Sequence, residues 1–468
     1  MKALFLELAI FRANLPSQLW LRGFVLAVGL RIGLGSFAFG EELMVDSLAE
    51  FAALAKKDDQ TITLVAGDYE LGDFLTPEVI KRKRRRKDFP LIEFSGSNNT
   101  FNLDGVTIRY QTEIRSSLRP PAHQAEFVIS GNNNTLTGLK ILCRGEGHSP
   151  GGALIAIEGE NNTLSKARLL CQGSYPYGYG DLFGKGGEEI VIRHRKESCL
   201  LITGDGTQIR GCHLVMRSFG HGIFLQKDVA DVLIEGCKVE GQMRSTTEML
   251  RERGTVAHEK KFRTVIRNRE GKNRILPGYM KSLSEDAFRT YSEYHPNLVI
   301  RNCQATNMRG GFEIRCKDSA TLENCSAMGC ERGFWVSSGA VLKNCSGDTR
   351  FGPLLYTEGS GIDAELTLLP DKSSSIVHRI AAIHGKDHKI SLKAHQGRQR
   401  VEAKPIELGF SSPPAGENMS GYGEKDSTGI ILRNETQMPV IVGSKAKDCR
   451  IESQGPISKN KGKRIEIL

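Results

Sequence analysis

Residues 310–348 read "GGFEIRCKDSATLENCSAMGCERGFWVSSGAVLKNCSGD". "GGFEIR" followed by "TLENCSA" returns as "RGFWVS" followed by "VLKNCSG". An aromatic strand, a polar turn and an Asn-Cys pair thus recur within one stretch. The pairs are spaced 22 residues from Asn302 to Asn324 and 20 from Asn324 to Asn344. That period is too short for strand–helix–strand units of ordinary size and too irregular for a hairpin array. It fits one turn of a solenoid made of three short strands, each coil stacked on the last at roughly 4.8 Å.

The repeat extends well upstream. "FSGSNNTFNLDGVTIRY" (94–110), "ISGNNNTLTGLKILCRG" (129–145), "IEGENNTLSKARLLCQG" (157–173), "ITGDGTQIRGCHLVMRS" (202–218) and "LQKDVADVLIEGCKVEG" (225–241) share one plan: short strand, tight turn, short strand. Asn, Gly and Asp suit the turns because they tolerate left-handed backbone. Alternation sends one set of side chains inward and the next outward. The Cys after each Asn or Gly (Cys212, Cys237, Cys303, Cys325, Cys345) is expected to point inward as a small hydrophobe. Stacked in parallel, these are expected to stay thiols. No C-x-x-C pair occurs, which argues against a zinc site.

Composition agrees with a globular chain. Of 468 residues, 39% are hydrophobic and 25% charged, and 51 are Gly. The net charge of +10 favours anionic partners. Residues 1–40, with Lys2, Arg12 and Arg22 before the apolar run "GFVLAVGLRIGLGSFAFG", read as a secretory signal ending in small residues. Arg31 interrupts that run and argues against its being a stable membrane span, and no such span is expected after signal cleavage. A secreted or periplasmic monomer is expected.

The "NNT" turns, the "NC" pairs and the start "DSLAEFAALAKKDDQTITLVAGDYEL" resemble the secreted right-handed parallel β-helix proteins of the pectate-lyase-like superfamily. The resemblance covers roughly 60–410. It implies an all-β three-sheet solenoid with an N-terminal capping helix, here begun by Ser47 and Glu50 as a capping box. The β-helix domain is placed at 41–410, with a partly helical insertion at 242–296. Final coils and a polar tail are placed at 411–468. The run "KRKRRRK" (81–87) reads as a solvated loop or a contact to glycan sulfate or carboxylate groups, with no nucleic-acid partner. "YPYGYGDLFGKGG" (175–187) reads as an aromatic loop that either meets sugar or packs over a coil seam.

Aligning "SFGHGIFLQ", "MRGGFEIR" and "CERGFWVS" puts His221, Gly310 and Arg332 in one column. Arg309 lies one residue before it and Arg315 a few after. The insertion adds Arg244, Tyr279, Lys281, Glu285, Asp286, Arg289 and Tyr291. This set suits an acidic polysaccharide cleaved by β-elimination. Cations neutralise a uronate carboxylate, and His221 or Lys281 takes the neighbouring proton. Arg289 and Arg309 serve the reaction, while Arg244, Arg315, Arg332, Tyr279 and Tyr291 hold the substrate. A non-catalytic carbohydrate-binding protein, a uronate epimerase and a glycoside hydrolase are the alternatives. For the last, "GHG" at 220–222 matches part of the polygalacturonase signature, but the paired aspartates before it are missing. The plain alternative for each Arg is a ladder with acids on the next coil, such as Glu313 with Arg332 or Arg309 with Glu331. Asp181, Glu188, Glu189, Asp228, Asp231, Glu285 and Asp286 match no calcium loop, so Ca2+ is left unassigned.

Overall fold

The computed structural model describes residues 42–179, 191–192, 194–264, 268, 270–371, 379–395, 403–412 and 423–468. The expected signal, Asp181, Phe183, Glu188 and Glu189 lie outside them. Two large sheets dominate, one of 23 strands and one of 13, and their pairings are parallel. A typical coil runs Thr321–Glu323, a bend, Ser326–Met328, a second bend, then Arg332–Val336. The first two strands of each coil belong to the 23-strand sheet, which folds around a tight corner. The third belongs to the 13-strand sheet. This is the expected parallel β-helix.

The corner explains the Asn-Cys pair. Asn302, Asn324 and Asn344 adopt positive φ (56°, 52° and 51°), as do Gly211 and Gly236 in earlier coils. The Asn side chains then form a ladder: Asn344 Nδ2 donates to Asn324 Oδ1 (2.7 Å), and Asn324 Nδ2 to Asn302 Oδ1 (3.1 Å). Each following Cys turns inward. All eleven cysteines are buried free thiols, as expected. Inside, Phe288, Phe312 and Phe334 stack at 4.6 and 4.9 Å with interplanar angles of 1° and 6°. Burying one such ring is worth about 1.5–3 kcal/mol. The aromatic in each repeat therefore forms the core.

Among the described residues, six helices decorate the coils: α1 (Leu48–Leu54), α2 (Leu71–Phe74), α3 (Pro77–Arg86), α4 (Glu113–Leu118), α5 (Thr246–Met249) and α6 (Val256–Glu259). Ser47 caps α1 by accepting from Glu50 N (3.3 Å). α1 sets Phe51 edge-on against Phe94 and Phe101, 5.8 Å from each. The basic run is helical and not a loop. Thr76 accepts from Val79 N, Pro77 opens the helix, and Lys87 ends it in the left-handed conformation. Seven like charges would repel in an isolated helix, but Val79 and Ile80 pack onto the core. That tertiary contact overrides the local repulsion.

Two boundaries differ from the sequence reading. Asp286–Thr290 is a regular strand of the 13-strand sheet, in register with Gly310–Ile314, so the insertion ends near 285. The "polar tail" forms coil: Ile457–Asn460 pairs with Val440–Val442, and Glu466–Ile467 with Arg450 and Ile451. Alternation there is too short to stand out against the charged neighbours. α2, α3, α4 and the insertion all leave the coils just before a strand of the 13-strand sheet. They therefore line one edge of it.

Candidate functional site

Two neighbouring columns of residues run along the outer face of the 13-strand sheet. Register places Phe224, Arg289, Glu313, Trp335 and Tyr356 side by side. The neighbouring column holds Asp286, Gly310 and Arg332 in register. His221 extends it, its Nδ1 lying 3.3 Å from Asp286 Oδ2. The expected column of His221, Gly310 and Arg332 is therefore present, with Asp286 inserted into it. Gly310 has a physical reason. A Cβ there would sit 2.3 Å from Asp286 Oδ1, so its absence lets Arg332 reach over to Asp286 (3.2 Å).

The cations are not bare. Arg309 Nη1 meets Glu285 (2.9 Å) and its Nη2 meets Asp286 (3.3 Å). Arg332 also meets Glu313 (2.9 Å), Arg315 meets Glu313 (3.2 Å), and Arg289 pairs with Glu313. Lys196 reaches Glu285 (2.8 Å). His221 is gripped from both sides, with Nε2 3.3 Å from Glu285. The expected Glu313–Arg332 ladder is found, and Arg309 is held by Glu285 and Asp286.

Burial separates the two signs. Side-chain exposure is 2% for Glu285, 1% for Asp286 and 6% for Glu313, against 25% for Arg332, 35% for Arg315 and 40% for Lys196. The three acids lie beneath Arg332, Arg315 and Lys196, which reach toward solvent, while Arg289 and Arg309 are buried with the acids. Burial pushes the Glu285 carboxyl up, but Arg309, His221 and Lys196 pull harder and hold it well below the usual range. Asp286 behaves alike: burial raises it, and Arg309, His221 and Arg332 outweigh burial. Burial lowers Arg289 to about 10. Burial also lowers Arg315, with Glu358 opposing. Both carboxylates are thus fixed anions and not proton donors.

Trp335 organises the exposed edge. The Arg315 guanidinium lies 4.6 Å from the indole centre and that of Arg332 5.0 Å. Each such contact is worth about 0.5–1 kcal/mol at an exposed site. Tyr356 meets the indole edge-on at 4.9 Å. At the other end, the exposed Tyr291 lies edge-on to Phe224 at 6.2 Å, and Phe224 lies 4.6 Å from His221.

Three expected site residues have contacts that hold the insertion in place. Lys281 donates to Glu331 (2.8 Å) and is buried, pinning the hairpin Met243–Ser245/Met280–Ser282 to the coils. Arg244 packs over Tyr179 (4.7 Å), donates to Gly178 O and pairs with Glu252. Tyr279 is buried beside α5, where Thr246 N donates to its carbonyl (2.9 Å). These contacts fasten the insertion and the 175–179 loop together. Trp335, Lys196, Glu358 and Tyr356 were not singled out from sequence. The signal available was the column itself: Trp335 follows "GF" as Glu313 does.

Among the described residues, no group of three or more His, Cys, Asp or Glu is arranged to hold a metal ion. Of the acids considered for Ca2+, Glu285 and Asp286 are engaged by cations, and Asp231 by Asn297 Nδ2 (2.7 Å). No helix among the described residues is long and apolar enough to cross a membrane.

The chain is a right-handed parallel β-helix protein: a family model described as "Right handed beta helix region" matches residues 198–369. Comparison with curated protein sequences finds no match. Among solved structures, the chain is similar to the catalytic domain of a GH87 α-1,3-glucanase in complex with tetrasaccharides. The identity is 12%, covering 92% of this chain and 66% of that one, with a TM-score of 0.43. It is also similar to a PL6 alginate lyase in complex with a trisaccharide, at 12% identity over 91% and 84% of the two chains, TM-score 0.47. A third is endo-xylogalacturonan hydrolase from Aspergillus tubingensis, at 9% identity over 91% and 92%, TM-score 0.28. The chain spans just under two thirds of the glucanase domain's length.

Proposed function

We propose that the protein binds an acidic polysaccharide across Arg315, Trp335 and Arg332. The observation that carries this reading is the separation of charge: the half-buried guanidiniums of Arg315 and Arg332 reach toward solvent, and the carboxylates that balance them are buried below. The indole lies under both guanidiniums, and their N–H groups not turned to Glu313 and Asp286 would meet a uronate carboxylate. The exposed Tyr291 offers a sugar ring an aromatic face at the other end.

Cleavage by β-elimination is a second reading, favoured by the contact of His221 with Asp286. A carboxylate beside an imidazole orients it for proton transfer, and Arg332 would neutralise the substrate carboxylate. In the arrangement described, Nε2 faces Glu285, so base action requires that contact to open. Lys281 is better suited to structure than to catalysis, because its amine is spent on Glu331.

The test is a panel of uronate polymers, including alginate, polygalacturonate and chondroitin. Binding is read by Trp335 fluorescence and elimination by the ultraviolet absorbance of the unsaturated product. Binding without the chromophore supports a binding protein. A chromophore lost in His221→Ala with binding kept supports the lyase. New reducing ends without the chromophore favour hydrolysis. No binding to any uronan refutes the reading.

A further inference from the structure

The basic helix α3 stands outside the site described above. Of its seven consecutive cations, Lys81 to Lys87, only Lys83 has an acidic partner among the described residues, Asp88 at 2.8 Å. Lys81, Arg82, Arg84, Arg85, Arg86 and Lys87 are exposed. With a net charge of +10 over the whole chain, one short helix holds much of the excess.

The helix is also shaped. α3 packs beside α4, leaving a cleft of about 700 Å³ lined by Pro77, Ile80, Lys81, Arg84, Arg85 and Ser117. Positions 81, 84 and 85 fall on one helical side. Three cations and a hydroxyl thus surround an apolar patch made by Pro77 and Ile80. We propose that the α3–α4 cleft is a second binding site for an anionic polysaccharide, gripping a carboxylate- or sulfate-bearing sugar unit. The proposal rests on the polysaccharide reading above for the class of polymer, but not on its residues.

The chemistry favours this occupant. Arginine forks match planar or tetrahedral oxyanions, and a sugar ring presents C–H faces to Pro77 and Ile80. A membrane-surface helix needs an exposed apolar side. Here Val79 and Ile80 are half-buried, packed partly against the core, and α3 carries no exposed large hydrophobic residue, so Pro77 and the uncovered part of Ile80 make a patch too small for a membrane. Single-stranded nucleic acid would want aromatic faces, and none lines the cleft. α3 also leaves the coils at the same corner as the insertion, so both sites border one sheet edge.

The test uses the full chain with dextran sulfate, polygalacturonate, duplex DNA and phosphatidylserine vesicles. The triple variant Lys81→Gln, Arg84→Gln and Arg85→Gln empties the cleft of charge while keeping good helix formers. Arg82→Gln with Arg86→Gln removes charge from the other side of α3. Affinity for at least one polysaccharide should fall about tenfold in the triple variant, as three exposed ion pairs would give, and less than threefold in the control. The loss should shrink as salt rises. Equal losses in the two variants, or no loss, would overturn the cleft as a site. Tighter binding to vesicles or DNA than to both polysaccharides would overturn the occupant. The Trp335 response to polygalacturonate separates the two sites. If it survives while α3 variants change nothing, the cleft proposal fails alone. If it is absent while α3 still binds, the Trp335 reading fails alone.

Discussion

Replacing Glu313 by Gln removes the acid on which three arginines converge. Arg289, Arg332 and Arg315 all meet its carboxylate. Arg332 keeps Asp286, and Arg315 keeps solvent. Arg289 is 8% exposed and has no other carboxylate within ion-pair distance among the described residues. Breaking a buried pair by removing one partner costs about 3–5 kcal/mol, because the other charge stays buried. Asp286→Asn makes the contrast. Arg309 and His221 keep Glu285, and Arg332 keeps Glu313, so no charge is orphaned. Its cost should be about 1–3 kcal/mol, that of an imperfectly satisfied buried group. Urea unfolding followed by fluorescence in a Trp20→Phe background, where Trp335 is the one tryptophan left, measures both. The midpoint should fall with an unchanged slope. A loss below about 1 kcal/mol for Glu313→Gln, or a larger one for Asp286→Asn, would show that the network is not built as described.

Further outcomes follow from single features. Phe312→Ala opens the middle of a three-ring stack and should cost about 3–5 kcal/mol in unfolding free energy. Trp335→Ala should weaken uronate binding about tenfold, or about 1.4 kcal/mol, by releasing Arg315 and Arg332; titration of a polyuronate checks this. The thiols should resist a thiol reagent in the native protein and react fully after denaturation, since all eleven are buried. Glu197 and Glu126 form a buried acid pair, with Arg115 2.7 Å from Glu126 and Tyr110 donating to it. Burial raises Glu197 from 4.5 to about 7, with Arg115 opposing. A carboxyl raised on folding holds its proton longer in the native state, so stability should fall as pH rises from about 4.5 through about 7, by up to about 3 kcal/mol. Unfolding midpoints across that range check it, and Glu197→Gln should flatten the decline.

The sequence by itself determined the architecture. Each coil repeats the same local demands, namely a left-handed bend residue and an inward thiol, so Asn302 and Cys303 announce their roles by spacing alone, whereas the core role of Phe312 came from the structure. The sequence also placed His221, Gly310 and Arg332 in one column, since strand register follows directly from the period. Only the tertiary structure decided which charges meet. Glu285 and Asp286 were read as part of an insertion, yet they end up under Arg309 and Arg332 because an interrupted coil resumes its register at Asp286. Lys281, Arg244 and Tyr279 looked like neighbours of that site and instead fasten the insertion. A polar side chain's partner depends on separation in space, and an insertion of some forty residues hides that separation from any reading along the chain. The sign of the exposed face was likewise out of reach, because it depends on acids being buried beneath cations and not on how many of each the chain contains.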